Sequence, residues 1–409
     1  MRKVMWEPAL KTKELFSMIY VGIDVASDKH DCCIIADTGE VLRDAFTISN
    51  SREGFETLVK TIISFSTDRK LTDVRIGLEA TGHYSTNLVN FLKLKGFQMT
   101  VFNPLHVNLF RKAQSLRKTK TDKTDARFIA AMLFNDDSKS HTPESYHISE
   151  LKSLVRHRFR LISLRSKLKV SVSRLITVLF PELHTVVWSV HQASSYAMLR
   201  EYPTAQAVAG CHLTKLTNIL SDNSNGHYGK AKAIKIKELA LISIGTNSRA
   251  MGFELQQTIR LIDNLQVEID AVDKQIKEAM KELNSPILSI PGISYTLGSI
   301  IIAEIGDISN FDNPSKLLAY AGLEPSTYQS GKFNAGNTPM VKRGSTYLRW
   351  AFLTAARLVA MRDTTFKDYY NKKISEGKHH YVAVSHVGKK LLRVVFHILK
   401  SNSVFVPQT

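Results

Sequence analysis

Tyr20-Val21-Gly22-Ile23-Asp24 is a short apolar run that ends on a carboxylate, and the residues after it decide the fold. Asp31 to Ala36 forms a second run, Asp37-Thr38-Gly39-Glu40 has the composition of a turn, and Val41 to Ile48 forms a third run. Short apolar stretches separated by turn residues predict an antiparallel meander of three strands. Ser51 can then cap a helix running to about Phe65. A strand is expected at Val74 to Glu79, a helix around Ser85 to Lys95 with Gly96 as its stop, and a strand at Gln98 to Phe102. Asn103-Pro104 breaks the chain, after which Leu105 to Phe134 reads as largely helical.

A meander followed by alternating helix and strand is the element order of a ribonuclease-H-like fold, an α/β layer structure. That order gives a meaning to four acids. Asp24 ends the first strand, Glu79 ends the fourth, and Asp122 and Asp125 stand three apart in Thr121-Asp122-Lys123-Thr124-Asp125-Ala126-Arg127, where they share one face of a helix. Any one of them alone reads as a solvated surface charge. Together they do not, because Asp24 and Glu79 terminate strands that should be buried, where an unpartnered carboxylate is costly. Carboxylates are ligands that Mg²⁺ accepts, and two such ions roughly 4 Å apart can serve phosphodiester cleavage. Asp24, Glu79, Asp122 and Asp125 are therefore candidate catalytic residues and ligands of two Mg²⁺ ions. Arg117, Lys118, Lys120, Lys123 and Arg127 surround the last pair, as suits a groove for phosphate backbones or a set of neutralising neighbours.

The whole chain points the same way. Its 409 residues predict two or three packed units. A formal net charge of +18 favours a polyanionic partner, DNA or RNA first. Cys32, Cys33 and Cys211 show no metal-ligand spacing, and the adjacent pair in a strand should face opposite sides of the sheet. No apolar run approaches a membrane span and Met1 to Ser17 lacks a signal-peptide core, so no membrane association and a cytoplasmic location are expected.

Beyond Pro143 the pattern becomes helical. Ile148 to Phe180 reads as one long basic helix carrying Arg156 and Arg160, both candidate nucleic-acid contacts, and Pro181 stops it. Tyr202 to Thr246 is less periodic and suggests no role. Leu255, Ile262, Leu265, Ile269, Val272, Ile276, Ala279 and Leu283 keep alternating three- and four-residue steps, interrupted only by Thr258. Such a heptad seam fits either a helix packed inside its own domain or a coiled coil, intermolecular or antiparallel. Pro286 and Ile290-Pro291-Gly292-Ile293 leading into Tyr295 to Ile305 look like a helix-hairpin-helix, whose turn amides can hold a phosphate. A Pro-Gly turn between two packed helices gives the same pattern without a ligand. Serines at 326, 330 and 345 punctuate the polar stretch that follows, and a hydroxyl becomes a useful nucleophile only with a base or a metal beside it.

Taken together, Gly22-Ile23-Asp24-Val25-Ala26, Glu79-Ala80-Thr81-Gly82, Asn103-Pro104, Lys120 to Ala126, Ile290-Pro291-Gly292-Ile293, Ala319-Tyr320-Ala321-Gly322-Leu323-Glu324-Pro325, Ser330-Gly331, and Lys342-Arg343-Gly344 with Leu348-Arg349 resemble the DEDD transposases of insertion-sequence family 110, which include the Piv-type invertases. The likeness covers nearly the whole chain from Met18. It implies a RuvC-like domain at 18–145 after an extension at 1–17, a helical and coiled-coil region at 146–284, and a transposase domain at 285–409. It also implies that Ser330 attacks DNA to form a covalent phosphoserine link, that the four acids hold Mg²⁺, and that a structured RNA from the element's flank pairs with donor and target DNA. Family members assemble as dimers of dimers, so a homo-oligomer, dimer or tetramer, is expected, with acids and serine from different protomers. Lys342, Arg343 and Arg349 would neutralise phosphate charge near the nucleophile. Ser345 stands where the family more often has Asn or Asp, and its place at a helix start makes it a natural N-cap. Two rivals remain: a metal-dependent junction nuclease in which Ser330 is structural, and a nucleic-acid-bridging protein without catalysis.

Overall fold

A computed structural model describes residues 18–65, 74–79, 84–102, 104–114, 122–135, 146–326, 329–330, 333–334 and 339–407. The extension at 1–17, together with Arg117, Lys118 and Lys120, lies outside the described residues, as do the side chains of Asp122 and Ser330. The chain divides into two compact units, Met1–Pro143 and Glu144–Thr409.

The first unit is built on a mixed five-stranded sheet of order β3-β2-β1-β4-β5. β1 (Ile19–Val25), β2 (Lys29–Ala36) and β3 (Val41–Ser49) form the expected meander, each antiparallel to the next. α1 (Arg52–Ile63) carries the chain across to β4 (Val74–Glu79), which pairs parallel with β1, and α2 (Thr86–Leu94) carries it to β5 (Gln98–Phe102), parallel to β4. The local signals act as their chemistry predicts. The Ser51 hydroxyl accepts from the Gly54 amide at 3.2 Å and caps α1, and Gly96 takes the left-handed conformation (φ 84°) after α2.

One face of the sheet, formed by Ile19, Val21, Ile23, Val74, Ile76 and Leu78, packs with Leu58 and Ile62 of α1 and Leu88 and Leu92 of α2. The other face receives α3 (Pro104–Gln114) and α4 (Asp122–Asn135) through Cys33, Ala126, Ala130, Ile129 and Leu133. Cys32 and Cys33 thus lie on opposite faces. Burial pushes the Cys33 thiol up to about 11 and raises Cys32 as well, so both stay protonated and neither is a ready ligand or nucleophile.

Two long helices, α5 (Tyr146–Leu179) and α11 (Arg249–Leu283), organise the second unit. Arg158 pairs with Asp273 at 2.5 Å and Arg174 with Glu254 at 2.6 Å, a falling register that makes the two helices antiparallel. The heptad positions Leu255, Ile262, Ile269, Val272 and Ile276 are buried within the unit, and the buried stripe also takes in Ile259 and Met280, which the seam did not include. Between the long helices, α6 (Leu183–Val186), α7 (Ala193–Glu201), α8 (Ala205–Gly210), α9 (Leu213–Asp222) and α10 (Lys230–Leu241) close a core of their own against Val172, Ile176, Leu255 and Ile259. The weakly periodic stretch is therefore a small helical cap. At the opposite ends of α5 and α11 a second core collects α12 (Tyr295–Ile305), α13 (Pro314–Tyr320), α14 (Thr346–Arg362), α15 (Thr364–Ser375) and α16 (His380–Ser401).

Gly22 is where α4 meets β1. A Cβ at that position would stand 2.2 Å from the Ala126 carbonyl oxygen and 2.3 Å from the Ala130 nitrogen, both backbone atoms that cannot rotate away. Gly22→Val is expected to cost about 3 kcal/mol of unfolding free energy, measured as a lowered urea midpoint in the transition reported by sheet-region probes; an unchanged midpoint would show that α4 does not lie on the sheet.

Candidate active site

Ile23 and Leu78 are the last registered pair of the parallel strands β1 and β4, and the next residues are Asp24 and Glu79. Since Ile23 and Leu78 point into the core shared with α1 and α2, alternation sends Asp24 and Glu79 to the opposite face, the one covered by α4. The two acids thus leave neighbouring strand ends on the same side. Gly22 and Gly77 stand two residues earlier on each strand, and α4 lies against both through Ala126, Ala130, Ile129 and Leu133. The helix that packs there begins at Asp122 and carries Asp125 immediately before Ala126.

Asp125 is 5 % exposed and is gripped by Arg111 of α3, whose Nη1 donates to Oδ1 at 3.1 Å and to Oδ2 at 3.3 Å. Arg111 also donates to Asn108 at 3.0 Å, which fixes its plane. The guanidinium holds the Asp125 carboxylate in place through both oxygens. Arg111 was not singled out by the sequence, and neither was Asp31. Asp31 is buried on β2 as the cross-strand partner of Asp24 and accepts a hydrogen bond from Thr47.

Oxygen donors alone, all carboxylate, suit a hard divalent cation such as Mg²⁺. Among the described residues no three acids, histidines or cysteines converge closely enough to enclose one, and the Asp122 side chain lies outside those residues. Lys123 and Arg127 are exposed on α4 beside the acids, with Arg127 4.0 Å from Asp44.

In the second unit, the described residues after α13 include two short antiparallel pairings. Pro325 bridges Met340, the Ser326 amide donates to the Pro339 carbonyl at 2.8 Å, and β6 (Gln329–Ser330) pairs with β7 (Phe333–Asn334). Ser330 is opposite Phe333 in this pairing. Lys342 is held in the left-handed region (φ 57°) and Gly344 follows at φ 92°. Gly344 and Gly322 allow two backbone segments to touch, since a Cβ on either would meet the carbonyl of Tyr320 or Arg343 at 2.0 Å or less. Arg349 donates to the Lys342 carbonyl at 3.0 Å and to that of Ala321 at 3.4 Å, bracing this loop from below. Lys342 and Arg343 remain exposed on its surface.

Arg156 occupies a different position from the exposed Arg160. It pairs with Glu304 (Nε to Oε1 3.0 Å), and Glu304 is 1 % exposed. Ser345 donates to the same carboxylate at 2.8 Å while its hydroxyl accepts from the Leu348 amide at 3.1 Å, so Ser345 is the cap of α14. Glu304 is the one charged residue of the apolar helix Tyr295–Ile305, which is a signal that it requires a partner.

The geometry agrees with similarities along the chain. Residues 21–181 match a DEDD transposase model of the IS110 group, and residues 284–371 match the model for transposases of the IS116/IS110/IS902 family. The chain belongs to the IS110 family of transposases. This transposase is 28% identical to an uncharacterized protein of insertion element IS116 from Streptomyces clavuligerus, over 95% of the chain and 96% of that protein. It is 26% identical to the putative mini-circle transposase for IS117 of Streptomyces coelicolor, over 99% and 97% respectively. It is 23% identical to the pilin gene-inverting protein of Moraxella bovis, over 95% and 98%.

The two arginines of α5 should separate in experiment. Arg156→Met leaves a buried carboxylate without its cation and is expected to cost about 3 kcal/mol in urea unfolding, whereas Arg160→Met should shift stability by no more than about 0.5 kcal/mol; equal effects would refute the pairing of Arg156 with the buried Glu304.

Proposed function

We propose that this transposase cuts and rejoins DNA at the ends of an insertion sequence, using the acids of the first unit and Ser330 of the second. The observation that carries the reading is the placement of Asp24 and Glu79 on adjacent parallel strand ends, on the face covered by the helix bearing Asp122 and Asp125. The strand order β3-β2-β1-β4-β5, with the first three antiparallel and the rest parallel, supports a ribonuclease-H/RuvC-like domain. A bound divalent cation would lower the barrier by stabilising negative charge on the phosphate and its leaving oxygen. Asp24, Glu79, Asp122 and Asp125 would hold two Mg²⁺, and Arg111 holds the Asp125 carboxylate in place.

The chemistry at Ser330 is a transesterification. Its Oγ attacks phosphorus, the O–P bond to the cut strand's sugar breaks, the sugar oxygen leaves as a hydroxyl, and the serine proton passes to it through solvent or a base. A hydroxyl of the incoming strand then attacks the phosphoserine and releases the serine, so no net hydrolysis occurs. The likeness of Ser330-Gly331, with Lys342-Arg343-Gly344 following it, to the family's motifs supports this role. Ser345 and Ser326 are poorer candidates: Ser345 spends its hydroxyl on Glu304 and α14. Exposed Lys123, Arg127, Arg160, Lys342 and Arg343 would neutralise DNA or RNA phosphates, and Arg349 would act by bracing Lys342.

The partners proposed are donor and target DNA, a structured RNA from the element's noncoding flank, and further copies of the chain in a dimer or tetramer. The α5–α11 pair serves as the coiled-coil element, and Pro291-Gly292 with α12 as the helix-hairpin-helix-like start of the C-terminal part. No helix among the described residues is long and apolar enough to cross a membrane, and the proposed place of action is the cytoplasm.

The decisive measurement incubates the protein, its flanking RNA and labelled donor DNA with Mg²⁺ and looks for a protein–DNA adduct on denaturing gels. Wild type should form it, Ser330→Ala should abolish it, and Ser345→Ala should retain it. Adduct at the wild-type level in Ser330→Ala would remove the serine from the mechanism, and cleavage with no adduct would favour a simple nuclease. Asp24→Asn should lower adduct formation by at least about 100-fold with RNA binding kept; wild-type activity there would remove the acids from the site.

A further inference from the structure

We propose that Asp31 is a positioning residue of the acidic site: braced by Thr47, its carboxylate sets Asp24 and adds to the negative potential that captures a divalent cation. The proposal rests on the reading of the acids as a metal site. Asp24 is paired with Asp31 across β1 and β2, and Asp31 is paired with Thr47 across β2 and β3. Paired residues of antiparallel strands project to the same face, so Asp24, Asp31 and Thr47 make a row across three strands. That face is the α4 face, since Cys33, two residues beyond Asp31, packs with Ala126 and Ala130.

Asp31 is 4 % exposed, and Thr47 Oγ1 donates to its Oδ1 at 2.5 Å. Among the described residues it forms no ion pair with a lysine or arginine, in contrast to Asp125 with Arg111. Directly opposed residues of an antiparallel pair have Cβ atoms about 4.5–5.5 Å apart, and like charges at that spacing repel. Two carboxylates opposed across an antiparallel pair add to one another's negative potential. A cation held at Asp24 is attracted by both carboxylates. The Thr47 hydroxyl prevents the simpler escape, in which Asp31 rotates away from its neighbour.

The test uses the full-length protein and Mn²⁺, with free ion counted by electron paramagnetic resonance and thermal unfolding recorded without metal. Asp31→Asn keeps an oxygen that accepts from Thr47 and removes only the charge. The expected result is a Kd for Mn²⁺ about tenfold weaker than wild type, with an unfolding midpoint unchanged or raised because the repulsion is gone. Thr47→Val, which frees the carboxylate, should weaken binding about threefold and carries the test if Asp31→Asn does not fold. Wild-type Mn²⁺ affinity in either variant that folds overturns the role of Asp31 and leaves the metal site standing. Absence of Mn²⁺ binding in wild type, or undiminished binding in Asp24→Asn, overturns the metal site itself and this proposal with it.

Discussion

Helix α4 can rest on β1 only because position 22 has no side chain, and the acidic site depends on that contact. The Ala126 carbonyl and Ala130 amide fill the volume that any Cβ at Gly22 would need, and Gly77 provides the same clearance toward Ile129 and Leu133 on β4. Small residues on the helix complete the fit, since Ala126 and Ala130 present no bulk to the sheet. The close approach fixes where the first turn of α4 begins and so fixes Asp125, which buries its carboxylate beneath Arg111 instead of in solvent. Glycines that would be weak points in an isolated strand serve here as the seat of a helix.

In the second unit the equivalent constraint is electrostatic. Glu304 lies in an otherwise apolar helix, and a lone carboxylate there would be untenable without Arg156 and Ser345. The same three residues join α5, α12 and the start of α14, so the cap of α14 and the long basic helix are fixed by one buried charge. Above that junction, Gly322 and Gly344 bring two backbone segments into contact and Arg349 ties their carbonyls, which holds Lys342 in a conformation that a lysine rarely adopts. Backbone strain of this kind persists where surrounding contacts over-determine it, as Gly322, Gly344 and Arg349 do here.

The long pair α5 and α11 spans two separate cores, one with the small helices α6–α10 and one with α12–α16. Each helix contributes one half of its length to each core, so neither core could form around a single long helix. The salt bridges along the pair, Arg158 to Asp273 and Arg174 to Glu254, place opposite charges at matching heights and thereby specify the antiparallel register. Part of the basic character of α5 is therefore structural, while Arg160 remains available at the surface.

Local physics made much of this readable from residues alone. The meander, the Ser51 cap, the Gly96 stop, the run of α5 to Pro181 and most of the α11 seam follow from periodicity and turn chemistry, which act over a few residues. The motifs carried the family, and the strand-ending acids carried the shared face of Asp24 and Glu79. Even Asp31 left a trace, since the short connection Ala26-Ser27-Asp28 sets a register that opposes it to Asp24. What tertiary structure decided was pairing at a distance: Arg156 meets Glu304 from 148 residues away. Asp125 likewise gains Arg111 only because α3 brings that residue to it. Periodicity reports which face of an element is buried, but the partner of a charge depends on how elements pack, and that information is spread over the whole chain.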